Sequence, residues 1–353
     1  MMLPRRSLLA APLVGLVAAC DSPLFRPGPT GPTAPPSPAT ACVRLGEHRF
    51  EHTGDPCGPP PPPDDPNINA EMRPLQWAGP ITITKTGSIA WYQNGLVEWD
   101  HQGKPHRLLA LWQATTRAYT LVGNTIITPL CDGRLHPWTN GCPTNPHPAP
   151  APGTITHLTT IDNTHYASTT TNGTLTLHTL NQPKPTATTT LPNPNVRRLE
   201  LKDGTIRVST TTSVHAYHPT TLKPTTHTTN LPNAPLGWTS GPNGLLAAHT
   251  NQLTTAQLGH NTTKRHHTEF TGNVPVAVRN DGTIAARHDR ELFLVHPDGA
   301  TSKRHHDGPG DRVPAGLTFD GDALHVLDAV FGGAVVDVAT GDQSHRYEIP
   351  PSH

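Results

Sequence analysis

Tight-turn residues return along this chain at an almost fixed interval, and that interval limits the fold more than any other feature. Thr86-Gly87, Gly123-Asn124, Asn163-Thr164, Asp203-Gly204, Asn243-Gly244, Asp281-Gly282 and Asp320-Gly321 mark positions 87, 123, 163, 204, 244, 282 and 321, successively 36 to 41 residues apart. Self-similarity at that period indicates one structural unit copied many times. Asn-Gly and Asp-Gly accept the positive φ of two-residue hairpin turns, so each mark predicts the join between a unit's first and second strands. A second series follows about eighteen residues later, at Gln102-Gly103, Asn140-Gly141, Asn181-Gln182, Thr220-Thr221, His260-Asn261, Asp298-Gly299 and Thr340-Gly341, and predicts the join between third and fourth strands. Thr205-Ile206-Arg207-Val208-Ser209, Leu292-Phe293-Leu294-Val295 and Leu324-His325-Val326-Leu327 predict half-buried strands between the marks. Four short antiparallel strands per unit make a propeller blade, and seven units close a ring. The expected fold is therefore all-β, a seven-bladed β-propeller over residues 77–350. A pair of β-sandwiches, the competing arrangement, demands no such period.

Composition agrees: 41 prolines and only 15% charged residues suit strands and turns better than helices. The 26 basic and 26 acidic residues cancel, which leaves no net field for nucleic acid and disfavours DNA binding.

Arg5 and Arg6 precede an apolar run from Leu8 to Ala19 that is too short to span a bilayer, so residues 1–19 read as an export signal. The run ends in Val17-Ala18-Ala19-Cys20, which resembles the lipobox of bacterial lipoproteins. That resemblance implies cleavage before Cys20, lipid (diacylglycerol and palmitate) on its thiol, and a place on the outer face of the cell membrane. Arg5-Arg6-Ser7-Leu8-Leu9 also resembles the twin-arginine export pattern, and the choice between that route and the general one stays open. Residues 20–41, rich in Pro, Thr, Gly and Ser, read as a disordered tether, and 42–76, with the run Pro59 to Pro63, as a spacer.

Removing Cys20 leaves four cysteines, an even number that suits an oxidising compartment. Local pairing is the simplest of three connectivities: Cys42 with Cys57 and Cys131 with Cys142. Neither spacing suits a structural zinc site. In blade 2 the second pair conflicts with a regular third strand, whose ends it would have to join, and Pro137 falls inside that strand. Residues 131–152 are accordingly expected to form a stapled loop.

Val335-Val336-Asp337-Val338-Ala339-Thr340-Gly341, Val214-His215-Ala216-Tyr217-His218-Pro219 and Leu294-Val295-His296-Pro297-Asp298-Gly299 resemble the third strand and turn of quinoprotein-like propeller repeats. The resemblance implies the architecture. The docking Trp usual after such a turn is replaced by His345, Arg346 and Tyr347, which counts against a quinone cofactor.

Of 23 histidines, His106, His227, His266, His305 and His345 fall at the expected outermost strands. Polar residues there discourage edge pairing. In His266-His267 and His305-His306 the two rings point to opposite faces, so no metal site is predicted. Ligand binding is expected at the channel mouth. Residues six before each first-series mark include Arg117, His157, Arg198 and Trp238, and Arg279 lies three before its own. Arg forks and a Trp face there would suit an anionic or sugar-like ligand. No catalytic motif is present, and Glu200 is the one inner-strand acid. These features predict a non-catalytic binding or scaffold module, without cofactor, for an envelope protein, a wall component or a small anionic ligand, held to the membrane through Cys20. The alternative is a lipid-anchored propeller enzyme, either a quinoprotein-like dehydrogenase or a metal-dependent lactonase. Abundant Thr and Pro with sparse Lys suggest a high-GC, actinobacterial genome.

Overall fold

Every first-series turn joins two hydrogen-bonded strands. Lys202 pairs with Thr205 across Asp203 (φ 48°) and Gly204 (φ 69°), the left-handed conformations expected of such a turn. The computed structural model describes residues 39–50, 56–57, 77–148, 153–234, 236–266, 270, 274–308, 314–328 and 332–351. The export signal, Cys20, the tether up to residue 38 and Pro59–Pro63 lie outside the described residues. Seven four-stranded antiparallel sheets follow one another, each built from four consecutive strands paired in sequence order. The first strands are Trp77–Thr84, Thr120–Val122, Ile155–Thr160, Arg198–Lys202, Thr239–Ser240, Val276–Val278 and Pro314–Asp320. First strands of successive blades lie against one another from blade 2 to blade 7, and that of blade 7 lies against that of blade 1, while blade 1 meets blade 2 through its fourth strand, Pro105–Leu111. The chain is a seven-bladed β-propeller. Among the described residues no helix is long and apolar enough to cross a membrane.

Seven apolar clusters of described residues fill the ring, one at each interface between blades. This corrects the expectation of half-buried strands. The second strand of blade 1, Gly87–Tyr92, is buried at every residue, and that of blade 4, Thr205–Ser209, at all but its first. Alternate side chains do point to opposite faces, but both faces are covered. Ile206 and Val208 enter the cluster shared with blade 3, while Arg207 faces blade 5 and donates to the Gly241 carbonyl at 3.1 Å.

The ring closes without exchanging strands. Blade 7 instead sends the segment after its last strand onto blade 1: Trp99 Nε1 donates to the Glu348 carbonyl at 2.9 Å, and Glu348 N–H donates to the Gly103 carbonyl at 2.8 Å. Tyr347 is buried between the blades, where its hydroxyl accepts from Ser88 Oγ at 2.9 Å and hydrogen-bonds His325 Nδ1. The segment before blade 1 reinforces the same junction. Phe50 packs edge-on against Tyr92, with ring centroids 5.5 Å apart, inside the cluster that blades 7 and 1 share.

The four cysteines are bonded, but not as the local rule predicts. The bridges are Cys42–Cys142 and Cys57–Cys131, with Cα separations of 4.0 and 5.4 Å. Blade 2 is a complete sheet whose third strand, Leu135–Thr139, contains Pro137, so the stapled loop expected over 131–152 is not found among the described residues, 131–148. Cys131 and Cys142 lie beyond opposite ends of that strand and cannot meet. Each reaches a separate cysteine of the N-terminal segment, which is therefore fastened to blade 2 at both ends of one strand. Val43 N–H also donates to the Gly141 carbonyl at 2.8 Å. Pro137 is tolerated because a residue's N–H and C=O point to the same side of a strand. Its carbonyl accepts from Thr144 N–H at 2.9 Å on the side of the two-residue outer strand Cys142–Pro143, so the missing N–H faces outward and the inner ladder is intact.

Candidate functional site

The inner strands set which side chains face the axis. In Arg198–Lys202 the period of two sends Leu199 and Leu201 into the cluster with blade 3 and turns Arg198, Glu200 and Lys202 to the channel. Hydrogen bonds then run around the ring from blade to blade. Arg198 Nε donates to Glu200 Oε2 at 3.2 Å and its NH1 to Thr239 Oγ1 at 2.9 Å. Glu200 Oε1 accepts from Ser240 N–H at 2.8 Å, and Thr239 Oγ1 donates to the Val276 carbonyl at 3.3 Å. Lys202 Nζ reaches past blade 5 to Asn280 Oδ1 at 3.0 Å.

That reach is open because blade 5 is short at its core. Its first strand, Thr239–Ser240, has two residues where that of blade 4 has five. The chain then turns away through Pro242–Gly244, with Asn243 in the left-handed region at φ 53°. Gly241 permits the turn to nestle against blade 6, since a Cβ there would stand 2.6 Å from Val278 Cγ1. The result is an axial cleft of about 230 Å³ between blades 4 to 7. One wall is polar, with Arg198, Glu200, Lys202, Thr239 and Ser240. Ala277, Val278, Asn280, Leu317, Thr318 and Phe319 line the opposite side.

The five residues expected at the mouth do not form one site. Arg198 lines the cleft, but Glu200 neutralises it. His157 lies on the first strand of blade 3, where Nε2–H donates to the Arg197 carbonyl at 3.1 Å. Arg117 precedes the first strand of blade 2 and stacks over the Trp112 ring at 4.4 Å. Burial pulls its pKa down to about 10, so it stays charged at neutral pH. Trp238 is 0% exposed and belongs to the cluster between blades 4 and 5, so it is a packing residue and offers no face to a ligand. Arg279 follows its inner strand, whereas Arg198 begins one, and this places the two at opposite ends of the channel. Its guanidinium is held by Asp281 and by Asp322 at 2.6 Å, which raise its pKa and leave little charge for an anion. Lys202, Ser240 and Asn280 were missed. The Lys202-Asp203-Gly204 sequence reads as turn chemistry, and only the shortness of blade 5 turns its lysine into a channel residue.

The edge histidines divide as well. His106, His227 and His305 are exposed on fourth strands. His266 and His306 are buried, with His306 Nε2–H donating to the Asp289 carbonyl at 3.2 Å. His267 lies outside the described residues. His215 and His227 stack with centroids 5.9 Å apart, beside a groove of about 510 Å³ between the outer strands of blades 3 and 4. Among the described residues no group of three or more His, Cys, Asp or Glu side chains could hold a metal ion.

No family model and no curated protein matches the sequence. Solved structures do match, 1299 chains among them, and one is the computationally designed Ika8 protein. The likeness covers 74% of this chain and 96% of that one, at a TM-score of 0.53 and 10% identity. Identity that low carries the fold alone, and a fold shared so widely does not name a function.

Proposed function

We propose that this chain is an exported bacterial lipoprotein, held on the outer face of the cell membrane by lipid on Cys20. Its quinoprotein-like repeats form a non-catalytic binding or scaffold module for an envelope protein, a wall component or a small anionic ligand. The observation that carries the reading is the pair of disulfides, Cys42–Cys142 and Cys57–Cys131. Bridges of this kind persist in oxidising compartments outside the cytosol. They fasten the segment that follows the lipobox-like sequence to the ring, so a lipid on Cys20 would tether the ring to the membrane.

Fractionation of cells producing the full chain and Cys20→Ser tests the reading. The unaltered chain is expected in the membrane fraction, with a diacylated N-terminal peptide in its mass spectrum, and Cys20→Ser in the soluble fraction. Equal membrane retention of both chains, or an unlipidated Cys20, would refute it.

A further inference from the structure

The axial cleft carries more than the general statement that a small anion binds. Among the described residues Lys202 has no carboxylate partner, and its one hydrogen bond goes to the neutral Asn280. The carboxylates nearby are already taken: Glu200 by Arg198, Asp203 by Arg207 at 2.7 Å, and Asp281 and Asp322 by Arg279. The cleft therefore holds a single uncompensated positive charge. Ser240, 5% exposed, lines the same cleft, and its Oγ has no hydrogen-bond partner among the described residues. A buried hydroxyl left unpaired is destabilising, so a ligand oxygen beside it is favoured. Asn280 accepts from Lys202 through Oδ1, which leaves its NH₂ to donate.

We propose that this cleft binds a small carboxylate, entering from the end of the ring where first and second strands are joined. Lys202, Asn280 and Ser240 hold the carboxylate. The volume, about 230 Å³, is below the range of drug-sized ligand pockets and suits a short chain. The site rests on the binding-module reading, but it is distinct from the mouth inferred from sequence. The anchor is Lys202 rather than Arg198, and the opening is at the opposite end.

Calorimetric titration of the full chain with sodium butyrate, sodium acetate and butyramide at pH 7.5 tests this. Butyrate is expected to bind one to one. Butyramide, of the same shape without the charge, should bind at least tenfold more weakly, and acetate, which keeps the carboxylate, within a few-fold of butyrate. Lys202→Gln should lose at least tenfold in butyrate affinity while Lys202→Arg keeps most of it, and Val278→Phe should block binding by filling the cleft. Circular dichroism melting of each variant separates lost binding from lost fold. Equal affinity for butyrate and butyramide, undiminished binding by folded Lys202→Gln, or no butyrate binding would overturn the proposal. A negative result here leaves the Cys20→Ser fractionation to decide the broader reading independently.

Discussion

Lowering the pH from 7.5 to 5.5 should strip this ring of much of its stability, because five histidines are sealed inside it as neutral rings. His136, His178, His249, His306 and His325 are each between 0% and 7% exposed. Burial is the leading cause in every case and pushes their pKa values down, His178 to about 3 and the other four to about 4. In the unfolded chain each returns to about 6.5. The unfolded state therefore binds more protons throughout the window from 6.5 down to about 4, and folding stability is complete above that window and lost as the pH falls through it. Each ring loses roughly 1.4 kcal/mol per pH unit below 6.5, so five together lose about 7 kcal/mol by pH 5.5. That is comparable to the ~5–15 kcal/mol by which a typical domain is stable. Carboxylates act elsewhere: Asp162, drawn down to about 2 with Thr164 and His165 donating to it, adds acid sensitivity only below the ordinary carboxylate range. Urea unfolding at half-unit pH steps, followed by tryptophan fluorescence, should show stability falling steeply from pH 6.5. A plateau down to pH 4.5, with loss only where carboxylates titrate, would refute the reasoning.

Further outcomes follow from individual residues. Neither ring nitrogen of His249 has a hydrogen-bond partner among the described residues, and the ring packs on Phe270 at 5.3 Å. His249→Phe should therefore gain about 1–2 kcal/mol at pH 5.5 and less at pH 7.5, as read by urea midpoints. Non-reducing peptide mapping should recover Cys42 linked to Cys142 and Cys57 linked to Cys131, and losing the first bridge in Cys42→Ser with Cys142→Ser should cost about 3–5 kcal/mol, given a separation of 100 residues. Tyr347→Phe removes the hydroxyl shared by Ser88 and His325 at the junction of blades 7 and 1, and should cost about 1–3 kcal/mol in thermal or urea unfolding. Gly333→Ala should be more damaging, since the added Cβ would stand 2.2 Å from the Tyr347 ring and press it out of that junction.

Turn chemistry and periodicity are local properties, and for this reason the seven units, the strand joins at Asp203-Gly204 and its equivalents, and the ring itself were legible in the residues alone. The same local rule misled the cysteine pairing. Cys131 and Cys142 are neighbours along the chain, yet an extended strand separates them and brings each to a partner 74 or 100 residues away. Burial of whole strands, the packing of Trp238 and the compensation of Arg279 by Asp322 of the next blade are decided by what lies across an interface, and no window of sequence contains both sides of one. The cleft is of the same kind. Lys202 reads as one more turn residue until blade 5 stops two residues into its first strand and leaves it facing an open axis. What a residue can do within its own hairpin is written in the order of the chain, whereas what it meets across the ring depends on how seven hairpin pairs bury their faces against each other.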